Sequence, residues 1–181
     1  MNLVRAISAI GSMTLLSRVF GFVRDILVAN FLGAGAMADA FVVAFRFPNL
    51  FRRLFAEGAF AAAFVPLFSR SLESEGRDAA MKFAEQAFAV LAIILGIFVA
   101  VIEIAMPVLM PFLAPGFETV PGKMDVATEF SRIAFPYLFF ISLVALQSGV
   151  LNALGKFSAA AAAPVLLNIT LITALLAFGG N

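Results

Sequence analysis

The sequence has 181 residues, 63% of them hydrophobic and 13% charged, with 22 Phe, no Trp and a mean hydropathy of +1.07. Ordinary soluble domains are about half apolar and about a quarter charged, so a chain of this kind can hide its surplus only in lipid. The 12 Lys and Arg against 11 Asp and Glu leave +1 and no bulk field for nucleic acid, and without Cys or His this chain can form no disulfide, thiol or Ser–His catalytic site, nor a Cys- or His-ligated metal site.

A spanning helix needs about 20 mostly apolar residues. Residues 6–17 are apolar, Arg18, Arg24 and Asp25 follow, and apolar character resumes over 26–32. One helix over 6–32 would be ~40 Å long, enough to cross a bilayer. A cleaved signal peptide is the competing reading of the N-terminus, but Leu15-Leu16-Ser17-Arg18 lacks the small-residue cleavage pattern. Gly33-Ala34-Gly35 marks a turn. The second helix, over 37–68, carries charges inside it and is expected to kink or break at Pro48.

The charge-mixed stretch 69–85 reads as the main inner loop, with room for an interfacial helix. A third helix over 83–113 is ended or bent by Pro107, Pro111 and Pro115, and 114–128 forms the main outer loop. Helices over 129–153 and 159–178 complete the set, the last lying in a stretch with no charge after Lys156. The fold class is therefore all-α: a polytopic transmembrane bundle of about five helices. With the N-terminus inside, the inner loops collect Arg5, Arg70, Arg77, Lys82 and Lys156, and the outer loops only Lys123. That excess favours a cytoplasmic N-terminus.

A charge at the bilayer centre costs roughly 2.5–3.5 kcal/mol on insertion scales, so such residues face a cavity or a partner. The first two helices hold Arg18, Arg24, Asp25, Asp39, Arg46, Arg52, Arg53 and Glu57, a surplus of two positive charges that calls for an anion. Arg18 and Asp25 are seven residues apart and share a face, with Arg24 about 120° round the helix. Asp39, Arg46 and Arg53 share heptad spacing, and Arg53 and Glu57 are i,i+4 neighbours able to pair. Arg24 and Arg52 have no counter-ion at i,i+4, which makes them candidates for ligand contact. A planar guanidinium stays ionised and binds phosphate oxygens bidentately. The competing reading is that these charges form buried ion pairs that fix register, or snorkel to the interface. That reading suits Arg5, Arg70, Arg77, Lys82, Glu129 and Arg132, whereas Glu103 fits packing and function equally.

The block Ser17-Arg18-Val19-Phe20-Gly21-Phe22-Val23-Arg24-Asp25, then Phe31-Leu32-Gly33-Ala34-Gly35 and Ala38-Asp39-Ala40-Phe41, closely resembles the N-terminal part of the bacterial lipid II flippase family MurJ (MviN). The match continues through Phe47-Pro48-Asn49-Leu50-Phe51-Arg52-Arg53-Leu54-Phe55-Ala56-Glu57-Gly58-Ala59-Phe60 and Phe64-Val65-Pro66, with later pieces at Ala114-Pro115-Gly116-Phe117, Phe135-Pro136-Tyr137 and Leu151-Asn152-Ala153-Leu154. That family sits within the multidrug, oligosaccharide-lipid and polysaccharide exporters.

The resemblance implies about fourteen helices in two lobes round a central cavity, in the bacterial inner membrane. They carry an undecaprenyl-diphosphate-linked peptidoglycan precursor to the outer leaflet by alternating access. It further implies that Arg18, Arg24 and Arg52 bind the diphosphate in a cationic cavity, with Asp25 and Asp39, and by the spacing argument Arg53 and Glu57, tuning its charge. The sequence reads as part of a longer polypeptide whose C-terminal lobe would follow Asn181 and hold the coupling-ion site, so no cofactor is expected within this chain. The expected partners are the lipid-linked diphosphate, membrane lipid and the remainder of the same polypeptide. An exporter of another lipid-linked oligosaccharide or of drugs, and a non-transporting membrane scaffold, are the alternatives. An enzyme acting on lipid phosphates is the weakest reading, because no nucleophile–base pair or metal cluster stands out.

Overall fold

The computed structural model describes residues 3–53 and 59–179. Seven α-helices follow one another among them: α1 (Leu3–Leu32), α2 (Ala36–Arg52), α3 (Ala59–Ser74), α4 (Arg77–Leu113), α5 (Lys123–Ala134), α6 (Tyr137–Ala153) and α7 (Phe157–Phe178). They fall into two compact units, one of Met1–Ala34 with Leu151–Asn181 and one of Gly35–Val150.

Four boundaries differ from the sequence expectation. The second helix is not broken at Pro48: α2 runs through this buried proline to Arg52, and the Arg53 N–H still bonds the Asn49 carbonyl. Residues 54–58, with Glu57 and its expected pairing to Arg53, lie outside the described residues. The inner loop expected over 69–85 is almost entirely helical, because its Arg, Lys and Glu residues are good helix formers. Only Glu75 and Gly76 separate α3 from α4, and Gly76 supplies the left-handed φ of +88° that the sharp turn needs. The helix expected to start at 129 begins at Lys123, which shortens the outer loop, and it is interrupted between Ala134 and Tyr137. There Pro136 has no N–H to continue the ladder, and tighter bonds from Leu138 N to Phe135 O and from Phe139 N to Pro136 O restart the helix.

In the larger unit, α2 and α5 lie side by side and parallel. Asp39 meets Lys123 at one end, and Phe47 and Phe51 meet Phe135 at the other. The chain of α4 runs antiparallel to them, pairing Met110 with Ser131 and Phe98 with Phe135. Between these helices Ala40, Met106, Met110, Ala127, Phe135 and Leu138 are all fully buried. The alanines let the helices approach and the larger side chains fill the space between, as membrane bundles require where lipid competes with the core. A second contact, between α3 and α4, stacks Phe64 on Phe83 at 5.6 Å.

Pro107 explains a bond that the sequence did not suggest. A proline at 107 leaves the Glu103 carbonyl without its i+4 donor, and Arg132 Nε donates to that oxygen at 3.1 Å. Arg132, expected to pair with a buried acid or to snorkel at the interface, thus repairs a helix defect in α4.

The stretches Arg77–Leu113, Lys123–Ala153 and Phe157–Phe178 are long and apolar enough to cross a membrane. Along α4 the outward face is apolar, with Ile104 78% and Phe112 81% exposed, a surface that water would not tolerate and lipid would. In the smaller unit α1 and α7 run parallel: Ser17 and Arg24 meet Asn168, and Phe31 lies beside Gly179.

Candidate functional site

The first candidate lies in the larger unit, in an open cleft of about 780 Å³ along α2. Arg46, Arg52 and Arg53 line it with Asn49, among Phe41, Phe45 and Leu50, and among the described residues no acid lines it. Arg52 is half-buried, whereas Arg46 and Arg53 are exposed. The helix sets this grouping: 46, 49 and 53 are spaced i, i+3, i+7 on one face, and 52 follows beside them. Three guanidiniums beside apolar walls suit an anionic group carried on a lipid, since each offers planar donors matched to phosphate oxygens. Arg46, which sequence reasoning counted in the charge surplus and placed at heptad spacing but did not single out for ligand contact, therefore joins the cluster. The signal was available in that spacing.

Asp39 is not among the residues lining this cleft. Its Oδ2 accepts from Lys123 Nζ at 2.6 Å, and that ammonium also sits 4.2 Å from the Phe117 ring centre. The pair ties the start of α2 to the start of α5. Lys123 is 13% exposed but Asp39 is 59% exposed, so solvent screens much of the attraction. A double-mutant cycle of Asp39→Asn and Lys123→Met, read by unfolding in detergent, should give a coupling of about 0.5–1 kcal/mol. A coupling indistinguishable from zero would remove the pair from the fold's supports.

The smaller unit holds the second candidate. Arg24 Nε and Nη2 donate to Asp25 Oδ1 at 3.1 and 2.7 Å, and Nη1 donates to Asn168 Oδ1 at 2.9 Å. Arg24 was singled out for lacking a counter-ion at i,i+4, and the structure supplies one from the adjacent residue instead. Asp25 thus pairs with Arg24 rather than with Arg18, its same-face neighbour by heptad spacing. Arg18 is exposed on α1. Asn168 was missed entirely, although an amide in the uncharged α7 was a visible anomaly. Among the described residues no group of three acids or other ligands could hold a metal ion.

A family model described as "Lipid II flippase MurJ" matches residues 28–181, which contain the whole arginine cleft. The chain is 51% identical over 176 residues to a probable lipid II flippase MurJ of Rhizobium tropici, covering 97% of this chain and 33% of that protein. It is 48% identical to the corresponding protein of Rhizobium meliloti (strain 1021), over 97% of this chain and 33% of the relative. It is also 45% identical to the lipid II flippase MurJ of Burkholderia cenocepacia, over 96% of this chain and 34% of the relative. The chain spans about a third of the length of the curated relatives it matches. An apolar helical bundle with a cationic cleft, matched over most of its length by that model, places this membrane chain in the MurJ lipid II flippase family.

Proposed function

We propose that this chain forms the cationic part of a flippase that moves an undecaprenyl-diphosphate-linked peptidoglycan precursor from the cytoplasmic to the periplasmic leaflet of the bacterial inner membrane. The observation that carries the reading is the cleft along α2, where Arg46, Arg52 and Arg53 gather beside apolar walls. No covalent chemistry is needed. The guanidiniums exchange water for the diphosphate, the sugar-peptide head rides in hydrated space, and the polyprenyl tail stays in lipid. Arg18 and Arg24 on α1 are further candidates to bind the diphosphate, and Asp25 weakens the hold of Arg24 enough for release. Movement of the site between leaflets follows the alternating-access logic of transporters whose bundles rock about a central site. The N-terminus lies in the cytoplasm, because Arg5, Arg70, Arg77, Lys82 and Lys156 then face inward against Lys123 outside.

The cleft argues against a drug–proton antiporter, whose site should present acids to a cation. The test is rescue: the whole gene carrying this chain, expressed in a bacterium whose own lipid II flippase is shut off. Growth and lipid II exposure on the outer leaflet are the expected results. Lysis despite normal membrane insertion would move an exporter of another lipid-linked oligosaccharide, or a scaffold, ahead of this reading.

A further inference from the structure

We infer that Asn168 is a positioning residue for Arg24, holding its guanidinium from α7 so that its remaining donors point at an anion; the anion's identity rests on the flippase reading above. Asn168 is 6% exposed in a helix that carries no charged residue. A buried amide in such a place is costly unless its polar atoms are bonded. Thr170 and Thr173 turn their hydroxyls onto carbonyls of their own helix, at Leu166 and Ile169. Asn168 reaches across to α1 instead.

The chemistry fixes which way the amide points. A guanidinium can only donate and a carbonyl oxygen can only accept. Oδ1 therefore faces Arg24 Nη1 at 2.9 Å, while Nδ2 donates to the Ser17 carbonyl at 3.0 Å, with Ser17 Oγ 3.4 Å away. The amide lies over Gly21 of α1, where an added Cβ would sit in ordinary van der Waals contact, 3.6 Å from Nδ2. Asp25 and Asn168 together occupy the Nε–H, one Nη1–H and one Nη2–H of Arg24. Of the five donors on a guanidinium, two remain, one on each terminal nitrogen. Asp25 alone could swing with Arg24, since the two are sequence neighbours on one helix. Among the described residues, only the bond from α7 ties the guanidinium to a second element.

The test compares the reaction of Arg24 with phenylglyoxal in the full-length protein in detergent, read peptide by peptide by mass spectrometry. Losing a hydrogen bond to a charged group should raise the Arg24 rate about 10-fold in Asn168→Ala. Asn168→Asp keeps an acceptor for Nη1 and should stay near the parent rate. An unchanged rate in Asn168→Ala overturns the inference. So does a rise shared by both variants, or one accompanied by an equal rise at Arg132, which reports general loosening. Binding of a polyprenyl diphosphate, against uncharged polyprenol, then reads the consequence. Asn168→Ala should weaken diphosphate binding about 10-fold and add nothing in an Arg24→Ala background; additive losses would overturn positioning. A parent that binds the diphosphate no better than the alcohol defeats the flippase reading, while the Arg24 rate still decides the role of Asn168.

Discussion

Arg52→Ala should reduce transport by about 10- to 100-fold at matched membrane levels, the range expected when a charge-assisted hydrogen bond to a substrate anion is lost. Of the three arginines in the α2 cleft, Arg52 is the half-buried one. Its field is therefore least screened by water, and its removal takes away one of the three guanidiniums that line the cleft. Arg52→Lys keeps the charge and loses the planar fork, so it should fall between parent and alanine. The measurement is rescue of a flippase-depleted strain together with lipid II exposed at the cell surface. Full rescue by Arg52→Ala would show that the cleft does not bind the transported anion.

The second large effect concerns the floor on which that cleft rests. Phe135 is fully buried, and its ring lies 5.5 Å from Phe47, 6.3 Å from Phe51 and 6.1 Å from Phe98. Lipid tails are as apolar as a protein core, so burial of this ring gains little from leaving water. Its worth lies in the contacts that a void cannot make. Phe135→Ala should cost about 2–4 kcal/mol in unfolding measured in detergent, and Phe135→Leu noticeably less. Phe140→Ala, at a ring 64% exposed on the same helical pair, serves as the control and should change little. Because Phe47 and Phe51 flank the cleft arginines on α2, the Phe135→Ala protein should also lose transport beyond what its abundance explains. Equal stability of the Phe135 and Phe140 variants would place the core elsewhere.

Much of this architecture was legible from hydropathy and charge-free runs, because the membrane demands long apolar helices and nothing local can override that demand. The turn at Gly33-Ala34-Gly35 and the last helix appear where the sequence placed them. Proline was the weaker guide. Pro48 sits inside a continuing helix, whereas Pro136 interrupts one, so the residue type by itself did not decide the outcome. The candidate site was legible as a charge surplus on two helices, but not as a set of partners. Helical spacing sees only neighbours on one helix, so it could not find Lys123 for Asp39, Asn168 for Arg24, or the Glu103 carbonyl that needs Arg132. Each of those bonds joins residues far apart in the chain.

That separation has a consequence for biosynthesis. Asn168 follows Arg24 by 144 residues, and at about 5–20 residues per second the ribosome needs roughly 7–30 s to deliver it. During that interval α1 is already made while α7 does not yet exist. Asp25, next in the chain, is made with Arg24, so its carboxylate is at hand to neutralise that charge before its partner on α7 is synthesised.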